Sequence, residues 1–366
     1  MMAIHLPFEI LTLILGLVTD IRDLQQARRA SRTLCAAATP LVFRVLSVAS
    51  TRRSAQNLGH LIEVPDISAH VREVIYLDSG ADKRGRTLKY VRTSAVRELA
   101  NSFAHIHQLP LLEAITLTFF PSYGFFRNSD VPGHRTLQGS LLNALAASFG
   151  VRTPNLRSLT IRNLHVTHLD AFGSPTFQTV LKPLRHLQLS TLFDSVSDDD
   201  RFLANWRSFW GITLPRYILE PTQHALTTLT LHSDAHVGAS SALSLATLHF
   251  PHLHMLSLRK LVFDPSVAAE TFVLRHASTL ARLELVECAI CMHSTDLNPA
   301  SPTHRGWVDV WERFSAELVT LVALHVDQRR VDRWGLIGPE RRILLHTNWQ
   351  KASPVSMLIL SGYPWH

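Results

Sequence analysis

Leu280-Ala281-Arg282-Leu283-Glu284-Leu285-Val286-Glu287-Cys288-Ala289-Ile290 carries apolar residues at its first, fourth, sixth and eleventh positions and a cysteine at its ninth. Its opening phrase, apolar-x-x-apolar-x-apolar, recurs along the chain. It stands as Leu112-x-x-Ile115-x-Leu117, Leu156-x-x-Leu159-x-Ile161, Leu184-x-x-Leu187-x-Leu189 and Leu226-x-x-Leu229-x-Leu231. It returns as Leu253-x-x-Leu256-x-Leu258, Leu321-x-x-Leu324-x-Val326 and Val355-x-x-Leu358-x-Leu360, with Val71-x-x-Val74-x-Tyr76 as a weaker opener. From residue 112 the starts are 44, 28, 42, 27, 27, 41 and 34 residues apart. Alternation within each phrase predicts a short strand with one buried face.

Helical spacing fills the intervals. Val96, Leu99, Phe103 and Ile106 share a face, as do Leu141 or Leu142 with Leu145 and Phe149. Phe202, Trp206 and Phe209 form another stripe, and Trp307, Trp311, Phe314 and Leu318 a further one. Short strands alternating with helices imply parallel strands joined by right-handed crossovers. Repeated at a period of 20–50 residues, such units stack into a solenoid. The 280–290 stretch resembles the leucine-rich repeat pattern L-x-x-L-x-L-x-x-N/C-x-L. In that family the Asn or Cys satisfies backbone groups in the turn after the strand. The corresponding residues elsewhere are Leu164, Leu192, Asp234 and Leu261, so the repeats are irregular. The expected fold class is α/β: an irregular solenoid over residues 71–366, with strands on the concave face and helices on the convex one.

Residues between the apolar positions of each phrase point out from the sheet. They are Thr116, Ser158, Thr160, His186, Gln188, Thr228, Thr230, Met255, Ser257, Arg282, Glu284 and His325. This polar ladder is either a surface that holds a protein target or a solvated face, with binding left to the loops.

The first fifty residues have another character. Pro7 and Glu9 suit a helix start, and the run from Ile10 to Val18 is apolar on nearly every side. Asp20 is a candidate cap for a second helix carrying Ile21, Leu24, Ala27, Ser31 and Leu34, and Thr39-Pro40 a start for a third containing Leu41, Val42, Val45 and Leu46. A three-helix unit of this size cannot enclose an all-apolar helix, so one face is covered either by the following domain or by a partner. Leu6-Pro7-Phe8-Glu9-Ile10-Leu11, Ile14, Leu17, Asp23-Leu24, Ala27, Ser31-Arg32 and Pro40-Leu41-Val42-Phe43-Arg44-Val45-Leu46 resemble the F-box motif, in a form similar to many fungal F-box proteins. Phe43 departs from the Trp common in that family. The resemblance implies contact with a Skp adaptor, and through it a cullin, at Leu6, Pro7, Glu9, Ile10, Ile14, Leu17, Leu24, Leu41 and Phe43. Residues 1–50 are thus expected to form an F-box module, 51–70 a linker, and 71–366 the repeat domain.

Composition narrows the other classes. The 366 residues are 46% hydrophobic and 18% charged, with a net charge of +7. Basic residues are scattered, which argues against a nucleic-acid partner. Three cysteines make no disulfide framework and point to a reducing compartment, cytoplasmic or nuclear. The Ile10–Val18 run lacks a preceding basic residue and a cleavage site and is too short to span a bilayer, so neither leader nor membrane span is expected. Cys288-x-x-Cys291 with His293 is half a zinc site at most. No G-x-S-x-G, Walker loop or G-x-G-x-x-G is present. His105, His107, His252 and His254 read as surface residues. Asp198-Asp199-Asp200 reads as a helix start, and the tryptophans at helical spacing as core. Residues 118–139 and 190–221 exceed ordinary loop lengths and are candidate target contacts or coverings of the array. The expected protein is a non-catalytic, cofactor-free and metal-free target receptor of an SCF-type (Skp–cullin–F-box) ubiquitin ligase. The alternative is a repeat scaffold without ligase partnership.

Overall fold

In the computed structural model, the described residues are 6–78, 93–121, 132–151, 155–166, 169–193, 200–238, 243–291, 306–327, 336–337 and 343–346. The chain divides into two units, residues 1–120 with 131–159, and residues 121–130 with 160–366.

The first unit begins with three helices, α1 (Phe8–Gly16), α2 (Ile21–Ala30) and α3 (Arg32–Val42). Asp20 accepts the Arg22 N–H at 2.8 Å and so caps α2, as its position suggested. The next boundary differs from the expectation: α3 starts at Arg32, capped by Ser31, not at Thr39-Pro40. Ser31 adopts an extended backbone and its Oγ accepts the Leu34 N–H at 3.1 Å. Helical spacing of apolar residues continues across this break and concealed it. Pro40 lies inside α3, close to its end. Arg28 ties α2 to α3, donating to Thr39 Oγ1 at 3.0 Å and standing 4.8 Å from the Phe43 ring centre. Leu15, Leu24, Ala37, Ala38 and Val42 form the small core, with Leu11, Val18, Ala27, Leu34, Leu41 and Phe43 packed around it.

The expected third helix also loses its end. Val45 and Leu46 open strand β1 (Val45–Ala49). Nor is 51–70 a free linker: it folds into α4 (Arg52–Ile62) and α5 (Pro65–Ser68), with Ala55, Leu58 and Ile62 buried. Then come β2 (Glu73–Leu77), α6 (Thr93–Ala104), β3 (Ala114–Thr118) and α7 (Pro132–Val151). Strands β1, β2 and β3 pair in parallel, aligning Leu46 with Val74 and Ile115, and Val48 with Tyr76 and Leu117. All six are buried. The Tyr76 ring packs edge-on to Phe103 of α6, with centroids 6.1 Å apart.

Strand β4 (Ser158–His165) bridges the division. The second unit continues with α8 (Asp170–Gly173), α9 (Pro175–Leu181), β5 (His186–Leu192), α10 (Asp200–Ser208), a π-helix (Phe209–Leu219), α11 (Glu220–Thr222), β6 (Thr228–Val237) and β7 (Met255–Phe263). After these stand α12 (Ala269–Arg275), β8 (Arg282–Val286), β9 (Ala289–Cys291), α13 (Trp307–Glu317), β10 (Ala323–Asp327), β11 (Leu336–Ile337) and β12 (Ile343–His346). The sheet order is β4-β5-β6-β7-β8-β10-β12. Parallel pairing from β5 to β10 sets the repeated phrases residue against residue: Leu187, Leu229, Leu256, Leu283 and Leu324 form one row, and Leu189, Leu231, Leu258, Leu285 and Val326 the next. Strand β12 is antiparallel to β10. The fold is therefore mixed α/β, with an open and largely parallel sheet whose strands follow chain order. The phrase at 355–360 lies outside the described residues.

Of the four non-glycine residues with positive φ among the described residues, three, Asn163, Lys260 and Glu287, lie five residues past their strand's start. The left-handed residue turns the chain so that the next side chain, Leu164, Leu261 or Cys288, drops into the core. The 190–221 insertion is largely helical and buries Trp206, Phe209 and Trp210, so its aromatics are core. Much of 118–139, and residues 198–199 and 293, lie outside the described residues. Among those that are described, no helix is long and apolar enough to cross a membrane.

Candidate functional site

Helix α1 turns two apolar stripes in different directions. Leu11, Leu15 and Val18 face the three-helix core. Ile10, Leu13, Ile14 and Leu17 repeat the spacing of a single helical face, and all four are exposed. Leu17 is 83% and Leu13 67% exposed, and Leu6, Phe8 and Ile21 flank them, each more than 40% exposed. Covering a large apolar side chain releases roughly 1.5–3 kcal/mol. An outer stripe of this length is therefore a candidate docking surface.

Of the residues that the F-box resemblance implies for adaptor contact, Leu6, Pro7, Glu9, Ile10, Ile14 and Leu17 are exposed. Leu24 is not: it is 5% exposed and belongs to the module's own core. Leu41 and Phe43 are half-buried against that core. Leu13, Phe8 and Ile21 are exposed beside the others but are absent from the expected set. The uniform apolarity of residues 10–18 contained the signal for Leu13, since two opposed stripes need two coverings.

On the sheet, the polar ladder is realised as strand rows. His186, Thr228, Met255 and Arg282 align across β5–β8, and Gln188, Thr230, Ser257, Glu284 and His325 across β5–β10. Thr116, Ser158 and Thr160 are half-exposed on β3 and β4. Ser257 departs from the expectation, being only 1% exposed. His232 covers it from β6, with Nε2 2.9 Å from Ser257 Oγ, and Ser257 donates to Glu284 Oε2 at 2.7 Å. Across the next strand His325 Nε2 lies 3.9 Å from Glu284 Oε1.

This constellation contains the residue types of a hydrolytic triad but not its wiring. The serine has one hydroxyl proton, and it goes to Glu284. His232 must then donate Nε2–H to Oγ. A general base would instead accept from the serine. Burial lowers the His232 pKa, opposed by Glu284 and supported by Arg259, in keeping with a neutral ring that donates. The chain His232–Ser257–Glu284 therefore orders the sheet face.

Two neighbours fix the rim beyond it. Arg259 and Lys260 both approach Glu287, at 3.2 and 3.7 Å. Asp234, the ninth residue counted from the start of its phrase, accepts the Phe193 N–H at 2.5 Å; its carboxyl pKa is raised above the usual range, chiefly by burial. Cys288 does similar work with its thiol, which lies 3.4 Å from Leu258 O and 3.7 Å from Val286 O. Burial pushes that thiol's pKa up to about 12. No group of three or more His, Cys, Asp or Glu able to hold a metal occurs among the described residues. His105, His252 and His254 are exposed and His107 half-buried. The chain matches no protein-family model and no curated protein.

Proposed function

We propose that the protein is the target-binding subunit of an SCF-type ubiquitin ligase, docking a Skp adaptor, and through it a cullin, on the outer stripe of α1. The single observation that carries this reading is a short helix exposing Ile10, Leu13, Ile14 and Leu17 while its opposite stripe is already packed. The F-box resemblance of residues 6–46 supplies the partner that fits. The polar face of the sheet then holds a protein target, and proximity alone brings it to the enzyme that transfers ubiquitin. No catalysis by this chain is required.

The finer fold belongs to the same proposal: a leucine-rich-repeat solenoid behind an F-box. It is supported by strands that follow chain order, by phrases in mutual register, and by Asp234 and Cys288, which satisfy backbone groups at the Asn/Cys position. The competing fold is a doubly wound nucleotide-binding sheet. That architecture places its site where strand order reverses and uses a glycine-rich turn. The order β4-β5-β6-β7-β8-β10 has no reversal, and the sequence has no G-x-G-x-x-G.

Co-purification tests the assignment. Ile10→Asp buries a charge in the docked stripe and is expected to abolish recovery of a fungal Skp adaptor with the full chain, while the far-ultraviolet spectrum stays unchanged. Undiminished recovery would leave the repeat scaffold without ligase partnership as the reading.

A further inference from the structure

We infer that the amino-terminal ends of strands β5–β8 form a cationic rim that binds an acidic segment of a protein. The rim is made by Lys182, Arg185, His186, His224, His254 and Arg282, all exposed. The four turns that enter these strands, residues 182–186, 223–228, 251–255 and 278–282, contain no Asp or Glu. Among the described residues no carboxylate pairs with any of the six. Among the described residues, the one hydrogen bond made by their side chains joins His254 Nδ1 to His252 O at 2.6 Å.

The backbone holds these side chains at fixed spacing. Arg185 O accepts from both Thr227 and Thr228, Thr227 O from His254 and Met255, and His254 O from Ala281 and Arg282, all at 2.8–3.1 Å. Each strand's entry is thereby pinned to its neighbour's. Adjacent strands stand ~4.8 Å apart, so Arg185 and Arg282, three strands apart, are separated by roughly 14 Å. An extended peptide rises ~3.3 Å per residue, so carboxylates four residues apart span the same distance. Thr228 and Met255, half-exposed between them, offer a hydroxyl and a pliable thioether to the intervening residues. Elsewhere the corresponding edge is partly neutralised: Arg72 pairs with Glu113 at 2.6 Å. A protein segment suits the rim better than a nucleic acid. These turns contain no Phe, Tyr or Trp on which a base could stack, and the fixed charges number three, Lys182, Arg185 and Arg282.

This inference rests on the proposed role of the sheet in holding a target and names the chemistry of that target. It is tested without adaptor, so a failure here leaves the outcome for Ile10→Asp standing, and the reverse. The probe is fluorescein-labelled octaglutamate, followed by anisotropy with the full chain in low salt. Wild type is expected to bind it, and Arg185→Glu with Arg282→Glu to weaken binding by about tenfold or more, since a reversed rim charge repels as well as fails to attract. Arg207→Glu with Arg216→Glu changes net charge equally at exposed residues of α10 and the π-helix, outside the strand entries, and is expected to leave binding near the wild-type value. Equal weakening in the two double variants, no binding by wild type, or tighter binding of a labelled oligouridylate than of octaglutamate would each overturn the inference.

Discussion

Acidification should unlock the second unit at one identifiable ring. His276 follows α12 and is 1% exposed. Its Nδ1 lies 2.7 Å from Phe272 O and its Nε2 accepts the Phe250 N–H at 2.9 Å. A carbonyl can only accept and an amide N–H can only donate, so the ring is neutral with its proton on Nδ1. A second proton on Nε2 would face the Phe250 N–H amid the rings of Phe250 and Phe272. Burial, with His249 and Arg275 nearby, lowers the pKa from 6.5 to about 4, against the opposing pull of the Phe272 carbonyl. The folded pKa lies below the unfolded one, so between them the unfolded chain binds more protons. Stability from this group is complete above about pH 6.5 and is lost as pH falls toward 4, by about 3 kcal/mol in full. Urea midpoints read by tryptophan fluorescence, for wild type and His276→Gln at several pH values, isolate the effect because every other titration is shared. Wild type should start ahead, and its lead should shrink by about 1.4 kcal/mol per pH unit below 6.5. A lead independent of pH would refute the assignment of a neutral, doubly bonded ring.

Other perturbations address separate parts. Gly238→Ala adds a Cβ 2.7 Å from Val267 Cγ2 at φ +118°, and should lower the melting temperature by the equivalent of about 1–3 kcal/mol; an unchanged melting curve would contradict the geometry. Ser257→Ala strips a donor from Glu284 and an acceptor from His232 and should cost about 1–3 kcal/mol in urea titration. A neutral result there would mean that the two ends bridge without the hydroxyl. Cys288 should resist iodoacetamide until the chain unfolds, because the thiolate is the reactive form, whereas half-buried Cys35 should react first. Peptide mapping that finds Cys288 alkylated in the native chain would contradict the burial.

The sheet was legible in the sequence because its signal is periodic and its apolar rows are obligatory: Leu187, Leu229, Leu256 and Leu283 sit where the phrase put them. The first strand was missed for a physical reason. Phe43-x-x-Leu46-x-Val48 is the same phrase, but Phe43 packs on the helical module, and the segment read as the tail of its third helix. The break at Ser31 hid because a single cap residue leaves apolar spacing undisturbed. Exposure on the sheet was only partly legible. Alternation turned Ser257 outward, yet His232 and Glu284 close over it, and a neighbour from another strand has no footprint in local periodicity. The exposed stripe was visible as a surplus of apolar residues on α1. Which of them stayed bare, Leu13 rather than Leu24, required knowing where the three helices cross.

The shared register of β6, β7, β8 and β10 governs how such a chain can change in length. Excision of the 27 residues from one phrase to the next, as between Leu256 and Leu283, removes one strand and its return and leaves Leu229 able to face Leu283 directly. Loss of a single residue within a strand instead turns its leucines to solvent and its polar side chains inward. The array can lengthen or shorten by whole modules while each surviving edge still meets a matching one.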